Sequence, residues 1–314
     1  MIIKKIGLTA LAASLVSVSA YAGEMSVKGA ASIGMYNNEN TSVGKSITMG
    51  NQLTFTGSGE LDNGLNVALS FILDHAGNVA SGFDSHSITV SSDSLGSIVV
   101  AGDGTGNAQS ALDTTAAGDI FDNSFTNSGV AYAVMGTSDA ADSKSINYTF
   151  PSMMDDLALT ASYSGAAAST NSTTAFGATY TGVEGLSVSY GVGENGSTTA
   201  TTSADVTTMK ASYALGSFTA AVSQTESDRD STGVDEEMSS FKLSYTVTDD
   251  LSITYGEETH DTSAQTVDEE FDAISISYTT GGMTITAGEY NAAGLGNTAG
   301  NTDARWKLGV AFAF

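Results

Sequence analysis

Apolar residues recur at every second position in sixteen short segments of this chain, and the connections between those segments alternate in length. Two-residue periodicity marks a strand with one apolar and one polar face. Segment 51–61, for example, puts Leu53, Phe55 and Leu61 on one face and Gln52, Thr54, Thr56 and Ser58 on the other. The same pattern predicts strands over 25–35, 51–61, 65–73, 85–91, 97–102, 144–150, 157–163 and 174–181. Eight more follow over 186–192, 206–215, 218–224, 239–248, 251–256, 272–280, 283–289 and 304–314. Several are shorter than the ~9–11 residues that cross a bilayer and are expected to extend into their loops. Connections after even-numbered segments have 2–6 residues, among them the hairpin signal Asp62-Asn63-Gly64; those after odd-numbered segments have 10–41. Short turns on one edge, long loops on the other and an even strand count bring the first and last strands side by side, so the sheet can close.

Two further patterns assign the faces. Seventeen of the 25 aromatic residues fall within these segments, all with the apolar parity. Tyr163, Tyr190, Phe241, Tyr255 and Trp306 lie toward the long loops. Phe150, Tyr180, Tyr213, Phe218, Tyr278 and Phe314 lie toward the short turns. Two bands at opposite strand ends are the pattern of interfacial aromatic girdles. Lys28, Lys210, Lys242, Arg305 and Lys307 all take the polar parity. A Lys or Arg facing lipid at mid-membrane costs roughly 2–4 kcal/mol, so these five are expected to point inward. A soluble sandwich would have to break sixteen strands into two sheets. The fold class expected is all-β, a 16-stranded antiparallel transmembrane β-barrel, too wide inside for side chains to fill.

The rest of the chain agrees. Lys4 and Lys5, an apolar run over 6–18 and the small-x-small motif Ala20-Tyr21-Ala22 predict a cleaved secretory signal over 1–22, with the barrel domain over 23–314. There is one Pro, which suits a chain given over to sheet, and no Cys, so no disulfide framework. The signal carries two of the ten basic residues and none of the 35 acidic ones, leaving a mature net charge of −27. That balance argues against nucleic acid as a partner.

The opening Gly23-Glu24-Met25-Ser26-Val27-Lys28-Gly29 and the block Leu53-Thr54-Phe55-Thr56-Gly57-Ser58-Gly59-Glu60-Leu61-Asp62-Asn63-Gly64 are similar to the first strands of alphaproteobacterial general porins. So is Leu95-Gly96-Ser97-Ile98-Val99-Val100-Ala101-Gly102, and Ser145-Ile146-Asn147-Tyr148-Thr149-Phe150-Pro151 looks like the strand that follows the family's third loop. The alternating final strand ending in Phe312-Ala313-Phe314 resembles the signal read by the barrel-assembly machinery. The resemblance implies a homotrimer in the outer membrane of a Gram-negative bacterium, in contact with lipid and lipopolysaccharide. It also implies a water-filled channel for passive diffusion of small hydrophilic solutes and ions, narrowed by a third loop folded into the lumen. The connection 103–143, the longest at 41 residues, stands in that place. The chain departs from the family in facing that loop with lysines and one Arg instead of a dense arginine cluster.

As candidate site residues, Asp103, Asp113, Asp119 and Asp122 form an acidic lip on the constriction, with Asp139 and Asp142 further along. The inward Lys28, Lys210, Lys242, Arg305 and Lys307 oppose them, and Phe312 and Phe314 carry assembly. The excess of acid predicts cation preference. Two further acidic stretches, Glu226 to Glu237 and Glu257 to Asp272, are read as extracellular loops able to take Ca²⁺ or Mg²⁺ weakly and bridge to lipopolysaccharide. No cofactor or transition-metal site is expected, because the three His residues are dispersed. No Gly-x-Ser-x-Gly elbow nominates a nucleophile, so no enzyme is expected. Two alternatives stay open. A sugar-specific channel would line its lumen with aromatics, of which only loop residues Phe121, Phe125 and Tyr132 are candidates. A surface structural or adhesive protein would carry a passenger domain or repeats.

Overall fold

The structure, a computed structural model, describes residues 25–38, 45–74, 85–103, 107–125, 145–166, 171–196, 203–229 and 234–314. The predicted signal over 1–22, with Asp139, Asp142 and Tyr132, lies outside the described residues. Sixteen strands follow one another in the sheet: β1 (Met25–Asn38), β2 (Lys45–Glu60), β3 (Asn66–Asp74), β4 (Ser85–Ser92), β5 (Gly96–Asp103), β6 (Ser145–Thr149), β7 (Leu157–Ser164) and β8 (Thr173–Val183). The second half comprises β9 (Leu186–Asn195), β10 (Ala204–Leu215), β11 (Phe218–Arg229), β12 (Glu236–Thr248), β13 (Leu251–Thr262), β14 (Glu269–Thr280), β15 (Met283–Ala293) and β16 (Thr302–Ala313). Each strand pairs antiparallel with its sequence neighbours, and β1 pairs with β16, so the sheet is a closed barrel. No helix among the described residues is long and apolar enough to cross a membrane.

The short turns follow from local chemistry. Thr280 and Met283 pair directly, and the two residues between them, Gly281 and Gly282, have φ of 53° and 83°. Two successive positive φ values make the type I′ geometry that matches strand twist, which only residues tolerant of the left-handed region supply cheaply.

The seam between β1 and β16 uses the last residue of the chain. Phe314 N donates to Gly29 O (2.9 Å), and Gly29 N donates to Phe314 O (2.7 Å). The Phe314 ring lies over Gly29 so closely that a Cβ there would stand 2.2 Å from a ring carbon. An Ala or larger residue at position 29 would push the ring off the seam.

The apolar face carries no protein layer. Val27, Ile33, Leu53, Leu69, Ile88, Val222 and Ile274 are each 40–55% exposed. A soluble protein rarely leaves so continuous an apolar surface in water, whereas in a bilayer that surface is solvated and closure satisfies the backbone.

Strand ends beyond the long loops differ from the sequence reading. The stretches taken as acidic loops are largely strand: Glu226 and Asp228 lie in β11, Glu236 and Glu237 in β12, Glu257, Glu258 and Asp261 in β13, and Glu269, Glu270 and Asp272 in β14. Apolar alternation reports where lipid touches the wall, while the hydrogen-bond ladder continues past it with polar residues on the outward face and a mostly polar inner face, where only Met238 and Phe271 are large and apolar. Like charges stand directly opposite at Asp205 and Asp228, Glu226 and Glu237, Glu237 and Asp261, and Glu257 and Asp272.

Deleting Phe314 removes two seam hydrogen bonds, each worth about 1 kcal/mol net, together with the ring that covers Gly29. The barrel of the deletion variant, and that of Gly29→Val, should unfold at a lower temperature in detergent, read by heat-dependent gel mobility. Unchanged midpoints in both would mean that the seam does not limit stability.

Candidate functional site

The third long connection leaves β5, and its described part, 107–125, contains two short helices, α1 (Ser110–Asp113) and α2 (Ile120–Phe125). Its bonds go to one face of the sheet, the polar one, and advance along it strand by strand. Ala108 N donates to Ser162 Oγ on β7 (2.9 Å), and Gln109 Nε2 donates to Thr208 Oγ1 on β10 (2.8 Å). Ala116 N donates to Ser223 Oγ on β11 (2.8 Å), and Ala117 N to Ser240 Oγ on β12 (3.3 Å). Space for this approach comes from glycines: a Cβ at Gly177 on β8 would lie 2.7 Å from Ala108 O, and one at Gly256 on β13 would lie 2.9 Å from Ala117 Cβ.

Glu258 on β13 is the centre of these contacts. One carboxylate oxygen accepts Ile120 N (2.9 Å) and the Thr115 hydroxyl, and the other accepts Phe121 N (3.0 Å). Thr115 Oγ1 in turn accepts Gly118 N (3.0 Å) and Asp119 N (2.7 Å), while Asp119 Oδ1 accepts Thr115 N (2.8 Å). Glu258 is 1% exposed. A buried carboxylate is tolerable only when donors converge on it, and three do. Beyond it, Ile120 and Phe125 join Phe271, Ala273, Ala292 and Leu295 in an apolar cluster, with Ala117, Phe121 and Tyr290 packed against it.

The five predicted cations divide. Lys210 Nζ donates to Thr114 O (2.8 Å), Lys307 Nζ to Asn123 O and an Arg305 Nη to Ser124 O. Arg305 also pairs with Asp303 Oδ2 through Nε (3.1 Å) and its other Nη (3.0 Å), and its guanidinium stands over the Phe125 ring at 5.0 Å. Lys28 is exposed on β1 opposite Thr54, and Lys242 is half-buried on β12 between Ala221 and Gly256. Three of the cations expected to oppose the segment are therefore bonded to the main chain of 107–125. Asp119 is built into the segment's own turn; the side chains of Asp103, Asp113 and Asp122 lie outside the described residues.

Other functional groups escaped the sequence reading. Phe271 and Tyr290 have the polar parity, as does Tyr36, which corrects the expectation that every strand aromatic is on the apolar face. All three sit beyond the predicted strand bounds. Phe271 is buried under α2 and cannot stack on a solute. The acidic ends of β12–β14 also hold a buried ionic cluster. His260 Nδ1 is 2.9 Å from Glu269 Oε2, His260 Nε2 is 3.8 Å from Glu236 Oε2, and Arg229 Nη2 is 2.6 Å from Glu236 Oε1. Glu269 Oε1 also accepts Gly296 N (2.7 Å), tying the last long loop to the wall. Extending the β13 alternation from Thr254 through Gly256 to Glu258 and His260 would have put both on the polar face. Among the described residues no group of three or more His, Cys, Asp or Glu is arranged to hold a metal ion.

A closed sheet with an unprotected apolar exterior and a hydroxyl-rich opposite face defines a transmembrane β-barrel of the outer-membrane class. The chain belongs to the Gram-negative porin family, whose pattern it matches over residues 7–314, and so forms a channel in the outer membrane. The fold is shared with the anion-selective porin from Comamonas acidovorans (16% identity, TM-score 0.70, 93% of this chain and 99% of that one). It is also shared with the trimer form of OmpT, an outer membrane protein of Vibrio cholerae (16% identity, TM-score 0.70, 93% and 100%). A mutant of the Rh. blastica porin is similar as well (14% identity, TM-score 0.66, 93% and 100%). No curated protein matches the sequence.

Glu258→Leu would leave the Ile120 and Phe121 N–H groups without their acceptor, at a cost of about 1–3 kcal/mol for each buried donor. Proteolysis within 107–125 should become faster while the barrel stays heat-resistant. Equal cleavage rates in variant and wild type would remove Glu258 from this role.

Proposed function

We propose that the protein is a passive diffusion channel for small hydrophilic solutes and ions, with no enzymatic role, and that segment 107–125 narrows its lumen. The observation that carries this reading is the reach of the segment. Nineteen residues touch the same face of β7, β10, β11, β12, β13 and β16. A chain that short can do so along the inner wall of a closed barrel, where its path follows a chord and not the outer circumference. The passage then runs between the segment and the polar face of β1–β6.

Cation preference follows from charge. The mature chain carries −27, and 107–125 holds Asp113, Asp119 and Asp122 with no Lys or Arg. Walls of one sign raise the local concentration of the opposite ion, and at ~0.1 M salt a Debye length of about 10 Å limits the effect. The reversal potential across a KCl gradient should show moderate cation preference that fades as salt rises. Asp113→Asn with Asp122→Asn should reduce it, and removing 106–140 should raise conductance. Anion preference in the wild type would sink the charge reading; unchanged conductance in the deletion, with an intact barrel, would place the loop outside the lumen.

The same reading includes a homotrimer. The apolar faces of β1–β5 present Met, Ile, Val, Leu and the stacked pair Phe55 and Phe71 but no Tyr or Trp, whereas each of β7–β10 and β12–β14 carries an outward Tyr. A sector without the amphipathic Tyr and Trp that anchor at the membrane interface suits contact with further copies of the chain. The facing carboxylates at the loop ends of β10–β14 suit weakly held Ca²⁺ or Mg²⁺ shared with lipopolysaccharide phosphates, and the Phe312–Phe314 end suits recognition by the assembly machinery. Light scattering in detergent should give three copies per particle, and EDTA should lower the heat resistance of protein extracted with its lipopolysaccharide. A monomer indifferent to EDTA would overturn both.

A further inference from the structure

Neither helix of the constriction segment has a basic residue in its own last turn. The carbonyls at a helix C-terminus lack intrahelical partners and carry the negative end of its dipole. In this protein they meet cations from the barrel wall. Lys210 on β10 reaches Thr114 O at the end of α1, while Lys307 and Arg305 on β16 reach Asn123 O and Ser124 O in the last turn of α2. Glu258 binds the opposite end of α2, at Ile120 N and Phe121 N. Each end of that helix therefore meets the charge its dipole favours, supplied by a different strand.

The same geometry removes these cations from the wall across the passage. On the polar face of β1–β6 stand hydroxyls such as Ser32, Thr48, Thr54, Ser70, Ser87 and Thr89. The described charged side chains there, Lys28, Glu60 and Asp74, are of mixed sign and lie toward strand ends. A transverse field needs opposite signs on opposite sides, whereas here three cations sit beneath the segment that carries the acids. Arg305 is in addition compensated by Asp303.

We infer that Lys210, Arg305 and Lys307 are positioning residues that fasten the constriction segment to the wall through its helix ends, and that they do not set the charge preference of the passage. This inference rests on the reading of 107–125 as the constriction. Losing a hydrogen bond from a charged donor shifts the ratio of fastened to released segment by about ten-fold. The test uses the absence of native cysteine. Ala116, 1% exposed and bonded through its N to Ser223, is replaced by Cys, and the thiol is titrated with a small water-soluble maleimide in the reconstituted channel.

Lys210→Met with Lys307→Met should raise the labelling rate at least about ten-fold while the reversal potential in a KCl gradient moves less than it does on adding Ser70→Lys to the facing wall. If the methionine pair fails to assemble, the glutamine pair, which removes the charges but keeps a shorter donor, is held to the reversal-potential criterion. An unchanged labelling rate in the methionine pair, or a reversal-potential shift in either pair as large as that from Ser70→Lys, would overturn the inference. Full-rate labelling of Ala116→Cys with both lysines present would instead overturn the packing of the segment on the wall, and the constriction reading with it.

Discussion

Every part of this structure depends on satisfying backbone hydrogen bonds where no water is available. An open sheet edge in hydrocarbon leaves a row of donors and acceptors unpaired, each at a cost of several kcal/mol. Closure of β16 onto β1 removes that row, and the chain brings its final residue into the seam to do so. The exposed Val, Ile, Leu and Met of the apolar face, unfavourable in water, become the surface that holds the closed sheet in a bilayer. With the backbone satisfied and the exterior solvated by lipid, the polar face is free to be hydrophilic, which a channel requires.

Closure also explains why the conventional core is so small. A 16-stranded ring is too wide for its own side chains to fill, so burial occurs mainly where a second piece of chain lies against the wall. The largest fully buried side chains include Phe125, Gln109 and Glu258, all at contacts between 107–125 and the barrel. The segment is held chiefly by polar bonds, with one apolar cluster at α2, so its position depends on the charge and hydrogen-bonding state of the wall. The buried Arg229–Glu236–His260–Glu269 cluster ties four adjacent strands together just beyond Glu258 on the same face.

Strand number, order and facing were readable from alternation because lipid on one side and water on the other impose opposite demands on successive residues. The same cause restricts the register, since a one-residue slip would turn every side chain to the wrong face. Where that demand ends, legibility ended too. Beyond the lipid the apolar alternation stops: β11–β14 run on through Glu226, Glu237, Glu257 and Glu270, and the apolar residues in these extensions, Met238 and Phe271, have the parity opposite to the lipid face and so do not continue the pattern. Glu258, His260, Phe271 and Tyr290 were missed for that one reason: all four lie in such extensions.

From sequence alone came the closed antiparallel barrel, the parity of the five cations that fall within the predicted strand bounds and the position of the long third connection, because each follows from a local two-residue pattern. The partners of those cations belong to the tertiary structure. Parity tells which side of the sheet Lys210, Arg305 and Lys307 occupy, but not what lies there. That depends on the path of a segment whose two short helices have no amphipathic repeat to report it. Only folding brings Thr114, Asn123 and Ser124, distant in sequence, within hydrogen-bond reach of the wall, and turns three apparent channel charges into ligands of helix ends.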